Sequence, residues 1–144
     1  MEKGINSFIL EQFGVAGVDI RTYSPLALAY IGDGVFELVI RSLVVGRGNC
    51  RANELHHRTS QIVKAQSQAE MIESLLPALT PEESAVYRRG RNAHSPTIAK
   101  HATMADYRKA TGLEALIGYL YLTDRFERIV FLIKEAMTKT GKMI

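Results

Sequence analysis

Two acidic residues stand within apolar segments of the sequence, where an unpartnered carboxylate is expensive to bury. Asp33 lies in LAYIGDGVF (residues 28–36), and Glu114 lies in GLEALIGYL (residues 112–120). If the two segments are neighbouring helices, the carboxylates meet, and like charges repel unless a cation lies between them. Oxygen ligands favour a hard ion such as Mg²⁺, whose bound water is a route to phosphodiester hydrolysis. The spacing therefore predicts a magnesium site.

Glycines accompany both acids. Gly32 and Gly34 within one helix cost about 1 kcal/mol each relative to alanine, which indicates a close approach of another backbone. One alternative stays open. In it, the glycines only allow the helices to pack closely, and the Asp33 side chain caps the end of a neighbouring helix or hydrogen-bonds to it. Glu37, four residues after Asp33, is a candidate third ligand; its alternative is an ion pair with Arg41 at its own i+4 position.

A basic segment precedes Glu114. Residues 86–109 contain six Lys or Arg and a single acid, Asp106, whereas the formal charge of the whole chain is only +3. Guanidinium groups bind phosphate oxygens, and Asn, His and Ser also bind phosphate or sugar. The segment therefore predicts contact with a nucleic acid, the alternative being a solvated charged face. The candidate RNA-binding residues are Arg88, Arg89, Arg91, Asn92, His94, Ser95, Lys100 and Arg108.

The elements that position these residues are predicted to be helices. Ser24 followed by Pro25 is typical of a helix start, and that helix extends to about residue 45. Thr80 and Pro81, with Glu83 three residues after the cap, form a capping box. A further helix is predicted from residue 53 to near residue 77, and a last one behind a weaker box at residues 124 and 127. Strand-type alternation is almost absent, so the fold class is all-α.

The composition limits the class of protein. With 144 residues, of which 47% are apolar, the chain can form one domain over residues 1–144 with a sizeable core. Its longest uncharged stretch, residues 22–32, is far shorter than the roughly 20 residues that a membrane span needs. A single cysteine, Cys50, excludes an intramolecular disulfide and a cysteine-based zinc site. We therefore expect a cytoplasmic protein without a membrane segment.

These motifs resemble those of a known family. The segment LAYIGDGVFE (residues 28–37) resembles the signature helix of ribonuclease III catalytic domains, and EALIGYLYL (residues 114–122) resembles their second acidic motif. RRGRNA (residues 88–93) and DYR (residues 106–108) are similar to segments of the Mini-ribonuclease III subfamily. The resemblance extends over about residues 25–122 and includes no separate double-stranded-RNA-binding domain.

The resemblance implies an all-α, homodimeric, magnesium-dependent endoribonuclease, with Mn²⁺ able to replace Mg²⁺. Such an enzyme cuts double-stranded RNA to leave 5′-phosphate and 3′-hydroxyl ends, with one active site per subunit and one strand cut at each. Asp33 and Glu114 match the metal-binding and catalytic acids, with Glu37 as a candidate addition. The associated process is maturation of the 23S ribosomal RNA precursor, to which a ribosomal protein can contribute as a helper.

Some acids of full-length ribonuclease III are missing from this sequence. Leu26, Ala29 and Thr111 stand where that larger enzyme has carboxylates, and these absences agree with the Mini-ribonuclease III subfamily. Two alternatives remain open. One is a non-catalytic RNA-binding protein or ribosome-assembly factor on the same scaffold, which leaves Asp33 and Glu114 unexplained. The other is a helical protein-interaction module.

Overall fold

A computed structural model describes residues 4–93 and 103–144, and within them the secondary structure is helical, without strands. Two short 3₁₀ turns lie at Ile20–Thr22 and Leu76–Ala78. The all-α prediction is confirmed. The helices are α1 (Ile5–Gln12), α2 (Pro25–Gly46), α3 (Ala52–Val63), α4 (Ala65–Leu75), α5 (Pro81–Arg91), α6 (Met104–Leu122) and α7 (Phe126–Thr140).

Helix α6 lies at the centre of the fold and packs against α2, α4, α5 and α7. Its buried residues occur on almost every side of the helix, as expected for an element surrounded by others. The apolar core joins it to the inner faces of its neighbours. Buried residues of α6 are Ala110, Thr111, Gly112, Leu113, Ala115, Leu116, Ile117, Gly118, Leu120 and Tyr121.

Glycines allow α2 and α6 to cross with their backbones in contact. A Cβ atom on Gly32 would lie 1.7 Å from the carbonyl oxygen of Glu114, and one on Gly118 would lie 1.9 Å from that of Leu28. Gly34 is different, because no described atom lies within 4 Å of its ideal Cβ position. The close packing expected of the glycines is therefore present at Gly32 and absent at Gly34.

A second glycine contact joins α5 to α6. A Cβ atom on Gly90 would lie 2.7 Å from the Cβ atom of Ala115 and 3.0 Å from the Cα atom of Gly112. Gly112 in turn faces the ring of Tyr87, at 2.6 Å from an added Cβ. The last turn of α5 is therefore fixed beside the turn of α6 that carries Glu114.

Two predicted helix starts are confirmed. The side chain of Ser24 accepts a hydrogen bond from the amide of Ala27 at the start of α2. The capping box is complete: the Thr80 hydroxyl accepts from the Glu83 amide, and the Glu83 carboxylate accepts from the Thr80 amide. Both caps satisfy backbone donors that a first helical turn leaves without partners.

Two other predicted features are wrong. The single helix expected over residues 53–77 is interrupted at Lys64, whose extended backbone ends α3 and begins α4. The weak capping box near residue 124 does not form: Asp124 adopts a positive φ and accepts a hydrogen bond from Ser7, while Arg125 is the N-cap of α7.

Within residues 4–93 and 103–144, none of the helices combines the length and apolar character that a bilayer crossing requires.

A buried ion pair connects α5 to α7. The Glu83 side chain is only 3% exposed, and the Arg128 guanidinium donates to both of its carboxylate oxygens at 2.9 Å. Arg128 also donates to the carbonyl oxygen of Ala78 at 3.2 Å. The hydrogen bonds from Arg128 hold the pKa of Glu83 below its ordinary value, although burial opposes them. The charge of Glu83 therefore depends on its partner.

Replacing Arg128 by methionine is expected to lower the free energy of unfolding by about 3 kcal/mol, because Glu83 would be buried without a counter-charge. The stabilisation from the lowered pKa of Glu83 is present above the ordinary carboxyl pKa and is lost as pH falls through the lowered value. Urea denaturation at neutral and acidic pH measures this. The double variant Glu83→Gln/Arg128→Met should recover part of the loss at neutral pH. An equal loss at both pH values would contradict the assignment.

Candidate active site

The crossing of α2 and α6 brings the two predicted acids together. Gly32 touches the backbone of Glu114 itself, and Asp33 is the next residue along α2. The Asp33 and Glu114 side chains share a hydrogen bond. Asp33 is exposed to solvent, whereas Glu114 is partly buried. The pair therefore has one carboxyl group facing outward and one set into the helix packing.

The surroundings of Glu114 disfavour its charged form. Burial is the main cause, and the hydrogen bond and negative charge of Asp33 add to it, so that the pKa of Glu114 is raised to about 9. The charge of Glu37 acts in the same direction. Without a cation, the pair therefore holds a proton at neutral pH. A positive ion placed between the two groups would favour the charged form instead.

The donor set fits a hard divalent ion that keeps much of its hydration. Mg²⁺ is usually bound through one or two protein carboxylates while water completes its shell. In the part of the chain that the structure describes, no group of three or more His, Cys, Asp or Glu residues is arranged to hold a metal. The Asp33–Glu114 pair meets the smaller requirement of Mg²⁺, and it offers no nitrogen or sulfur ligand of the kind that zinc prefers.

Glu37 lies near the pair but has a partner of its own. The Arg41 guanidinium donates to Glu37 Oε1 at 2.6 Å, in the i,i+4 ion pair that the sequence offered as an alternative. Its negative charge still reaches Glu114 and contributes to the raised pKa of that residue. A ligand role for Glu37 stays a prediction.

Sequence reasoning missed one residue of this site, Gln68. Gln68 is 3% exposed on α4, and its side-chain amide lowers the pKa of Glu114, in opposition to the burial. A signal was present in the sequence: Gln68 lies three, four and seven residues before Met71, Ile72 and Leu75, and so on the apolar face of the helix. A glutamine on such a face indicates a buried polar contact.

Several of the predicted basic residues lie at the end of α5 and on α6. Arg88, Arg89 and Asn92 are exposed at the end of α5, which packs against the α6 turn that contains Glu114. Arg108 is exposed on α6, and its six-residue separation from Glu114 corresponds to about 9 Å along the helix axis. We call Arg88, Arg89, Arg91, Asn92 and Arg108 the basic surface. The predicted RNA-binding residues His94, Ser95 and Lys100 lie outside the described residues.

Arg91 is the most constrained member of the basic surface. Its guanidinium lies 5.6 Å from the centroid of the Tyr87 ring, and its Nε donates to Asn92 Oδ1 at 3.3 Å. Cationic side chains in the last turn of a helix also interact favourably with the helix dipole. Lys109, next to Arg108, pairs with Glu73 at 2.7 Å. The positive charges of this region therefore have structural as well as potential binding roles.

Comparison with known proteins places this arrangement in a family. The ribonuclease III domain family matches residues 26–125. The chain is 43% identical to the Mini-ribonuclease 3 of Enterococcus faecalis, over 86% of this chain and 96% of that protein. It is also 43% identical to the Mini-ribonuclease 3 of a Thermoanaerobacter species, over 90% of this chain and 91% of the other.

A crystal structure of a Fusobacterium nucleatum protein has the same fold, with a TM-score of 0.77 and 31% sequence identity. The match covers 85% of this chain and 99% of that one. The resemblance drawn from the two acidic motifs is thus confirmed over most of the chain, and so is the expected enzyme class. The chain belongs to the ribonuclease III family of endoribonucleases and, within it, to the Mini-ribonuclease III branch.

Proposed function

We propose that this endoribonuclease cleaves double-stranded RNA at the Asp33–Glu114 pair and depends on a divalent metal ion. The observation that carries the proposal is the glycine crossing, which holds two carboxyl groups together at a place where their charges repel. That arrangement is unfavourable for stability alone and favourable for binding a cation. Asp33 and Glu114 would hold Mg²⁺, with Mn²⁺ able to replace it, and Glu37 is the candidate third ligand.

The two acidic residues of the proposed site have different roles. A bound magnesium ion supplies charge stabilisation at the scissile phosphate and a water of lowered pKa. Glu114, fixed in the helix packing, would hold the ion from the inner side, and the exposed Asp33 would hold it from the solvent side, where a phosphate can reach the ion. The products would carry 5′-phosphate and 3′-hydroxyl ends.

The basic surface would bind the backbone of the duplex. A-form RNA presents a wide, shallow minor groove with 2′-hydroxyl groups, so such contacts recognise shape more than sequence. Arg88 and Arg89 are exposed next to the α6 turn of Glu114, which supports delivery of a phosphate to the carboxyl pair. His94, Ser95 and Lys100 remain proposed members of the same binding segment.

The triple variant Arg88→Ala/Arg89→Ala/Arg91→Ala is expected to weaken binding to an RNA duplex. It should also lower the slope of log affinity against log salt by about 1 for each phosphate that the protein no longer neutralises. Titrations at several salt concentrations, with EDTA present to prevent cleavage, measure both effects. Arg91→Lys serves as a comparison, since it keeps the charge but removes the planar group that stacks on Tyr87. An unchanged salt slope in the triple variant would exclude these residues as phosphate ligands.

We also propose a homodimer in which each subunit cuts one strand. Helix α2 supports this with exposed apolar side chains, among them Tyr30 at 84% and Leu38 at 54% exposure. The finer proposals follow the resemblance: residues 1–144 act as a single ribonuclease III-like domain in the cytoplasm, on the 23S ribosomal RNA precursor, with a ribosomal protein as a helper.

The experiment that tests the proposal uses an end-labelled RNA duplex, incubated with the protein in Mg²⁺, in Mn²⁺ and in EDTA. Metal-dependent cleavage with 5′-phosphate products is the expected result. Single-stranded RNA and duplex DNA of the same sequence are the matched controls and should stay intact. Binding without cleavage in every condition would favour the non-catalytic RNA-binding alternative, and absence of binding would favour a protein-interaction module.

A further inference from the structure

We infer that Gln68 is a positioning residue of the carboxylate site, which holds the Glu114 side chain in place from helix α4. The inference rests on the proposed function, because it assigns Gln68 to the metal-binding pair. Gln68 lies inside the fold, at 3% exposure, and its helix packs directly against α6. A polar side chain at such a position needs an explanation that packing alone does not provide.

The hydrogen bonds of the Gln68 amide indicate its role. The amide has two N–H donors and one carbonyl acceptor. Nε2 donates to the carbonyl oxygen of Val63 at 2.8 Å. From the same position the amide acts on Glu114, because it lowers the pKa of that carboxyl group. Within the described residues, Oε1 is buried without a partner. The amide is therefore retained although an apolar side chain would avoid an unsatisfied oxygen.

The interruption between α3 and α4 explains how Gln68 is fixed. Lys64 has an extended backbone, so helix α3 ends at Val63, and the Val63 carbonyl accepts a hydrogen bond from the Gln68 side chain. The amide is thus anchored to backbone at the helix junction and also reaches Glu114. This makes α4 the third helix of the site, beside α2 with Asp33 and α6 with Glu114.

Supporting hydrogen bonds of this kind orient the side chains that bind metals, and their removal typically weakens metal affinity. The remaining apolar face of α4, formed by Met71, Ile72 and Leu75, shows that a hydrophobic residue fits this layer. The buried amide of Gln68 is therefore explained by its position beside Glu114 rather than by packing.

The test compares Gln68→Leu with the wild type by calorimetric titration of Mn²⁺ into the RNA-free protein. We expect Mn²⁺ affinity to fall by about 10- to 100-fold. Cleavage of an RNA duplex should need correspondingly more metal and recover when the metal concentration is raised. Affinity for the duplex in EDTA should be unchanged. Gln68→Asn, which keeps the amide on a shorter chain, should retain more Mn²⁺ affinity than Gln68→Leu.

Ser67→Ala is the matched control. Ser67 is the preceding residue of α4, is 1% exposed, and in the described part of the chain has a buried hydroxyl without a partner. Its replacement removes an equally buried polar group that has no assigned hydrogen bond with Glu114, so Mn²⁺ affinity should stay at the wild-type value. Circular dichroism and thermal unfolding establish that each variant is folded.

Three outcomes would overturn the inference: wild-type Mn²⁺ affinity in folded Gln68→Leu, an equal loss of affinity in Ser67→Ala, or loss of the fold in both Gln68→Leu and Gln68→Met. The last would assign Gln68 to the core alone. Failure of the proposed function gives a different result, because the wild-type protein itself would then neither bind Mn²⁺ nor cleave the duplex.

Discussion

Replacement of Asp33 by asparagine, or of Glu114 by glutamine, is expected to reduce metal-dependent cleavage of an RNA duplex by about 10²- to 10⁴-fold, the range associated with a positioned catalytic acid or base. In the metal-bound state, where both carboxyl groups are ionised, each change removes one negative charge from the pair while keeping the size of the side chain. A cation bound at the pair would then have one of the two carboxylates instead of both. Single-turnover cleavage of a labelled duplex at saturating protein measures the effect separately from binding.

Both variants should keep the fold, Asp33→Asn because Asp33 is exposed to solvent, and Glu114→Gln because of the protonation of Glu114. The pKa of Glu114 is raised to about 9, so in metal-free protein at neutral pH the carboxyl is already uncharged and glutamine resembles it closely. Glu54→Gln is a suitable control, because Glu54 forms an exposed ion pair with Arg58 on α3. Full activity in folded Asp33→Asn or Glu114→Gln would refute the assignment of the active site.

The pH dependence of stability offers an independent check on Glu114. Its folded-state pKa lies above the ordinary value of 4.5, so the folded protein binds the extra proton between pH 4.5 and about 9. Stability in EDTA should therefore decrease as pH rises through that interval. Glu114→Gln has no proton to lose at this position, and thermal unfolding of the variant should show a weaker decrease than that of the wild type.

Gly32→Ala is expected to lower the free energy of unfolding by more than about 4 kcal/mol, an unusually large effect for one methyl group. The added Cβ atom would lie 1.7 Å from the carbonyl oxygen of Glu114, and a backbone atom cannot rotate away as a side chain can. The helices would have to separate along the crossing, which would also move Asp33 from Glu114. Denaturant titration followed by circular dichroism measures the loss.

Gly34→Ala provides the matched control two residues away on the same helix. No described atom lies within 4 Å of its ideal Cβ position, and alanine is favoured over glycine in a helix by about 1 kcal/mol. This variant should therefore be slightly more stable than the wild type. The close crossing would be refuted if Gly32→Ala and Gly34→Ala unfolded at the same denaturant concentration.

The main features of the site were predictable because they violate local preferences. Asp33 and Glu114 each place a charge in an apolar helical segment, and the glycines beside them weaken those helices. The energetic costs of a charge in an apolar segment and of a glycine in a helix can be recognised from the sequence without a structure. The helix starts at Ser24 and Thr80 were predictable for a different reason, since a cap acts within four residues of its own position.

Features that depend on distant parts of the chain were not predictable in the same way. No proline or glycine marks the break at Lys64 in the sequence. The break is evident only in the structure, where the Val63 carbonyl accepts a hydrogen bond from the Gln68 side chain instead of from a helical amide. The glycines at positions 32 and 34 look equivalent in the sequence. Only the position of α6 determines that the first touches another backbone and the second faces open space.

The glycine crossing has a consequence for motion in the protein. Regions that open locally usually have few buried contacts, whereas central core helices open only with the whole molecule. Gly32 and Gly118 lie where α2 meets the central helix α6, and Asp33 and Glu114 are attached to the same backbone segments. The carboxyl pair therefore has no opening motion of its own. Amide hydrogen exchange near these acids should report global unfolding. On the proposed function, an RNA substrate would have to adjust its own conformation to this rigid site.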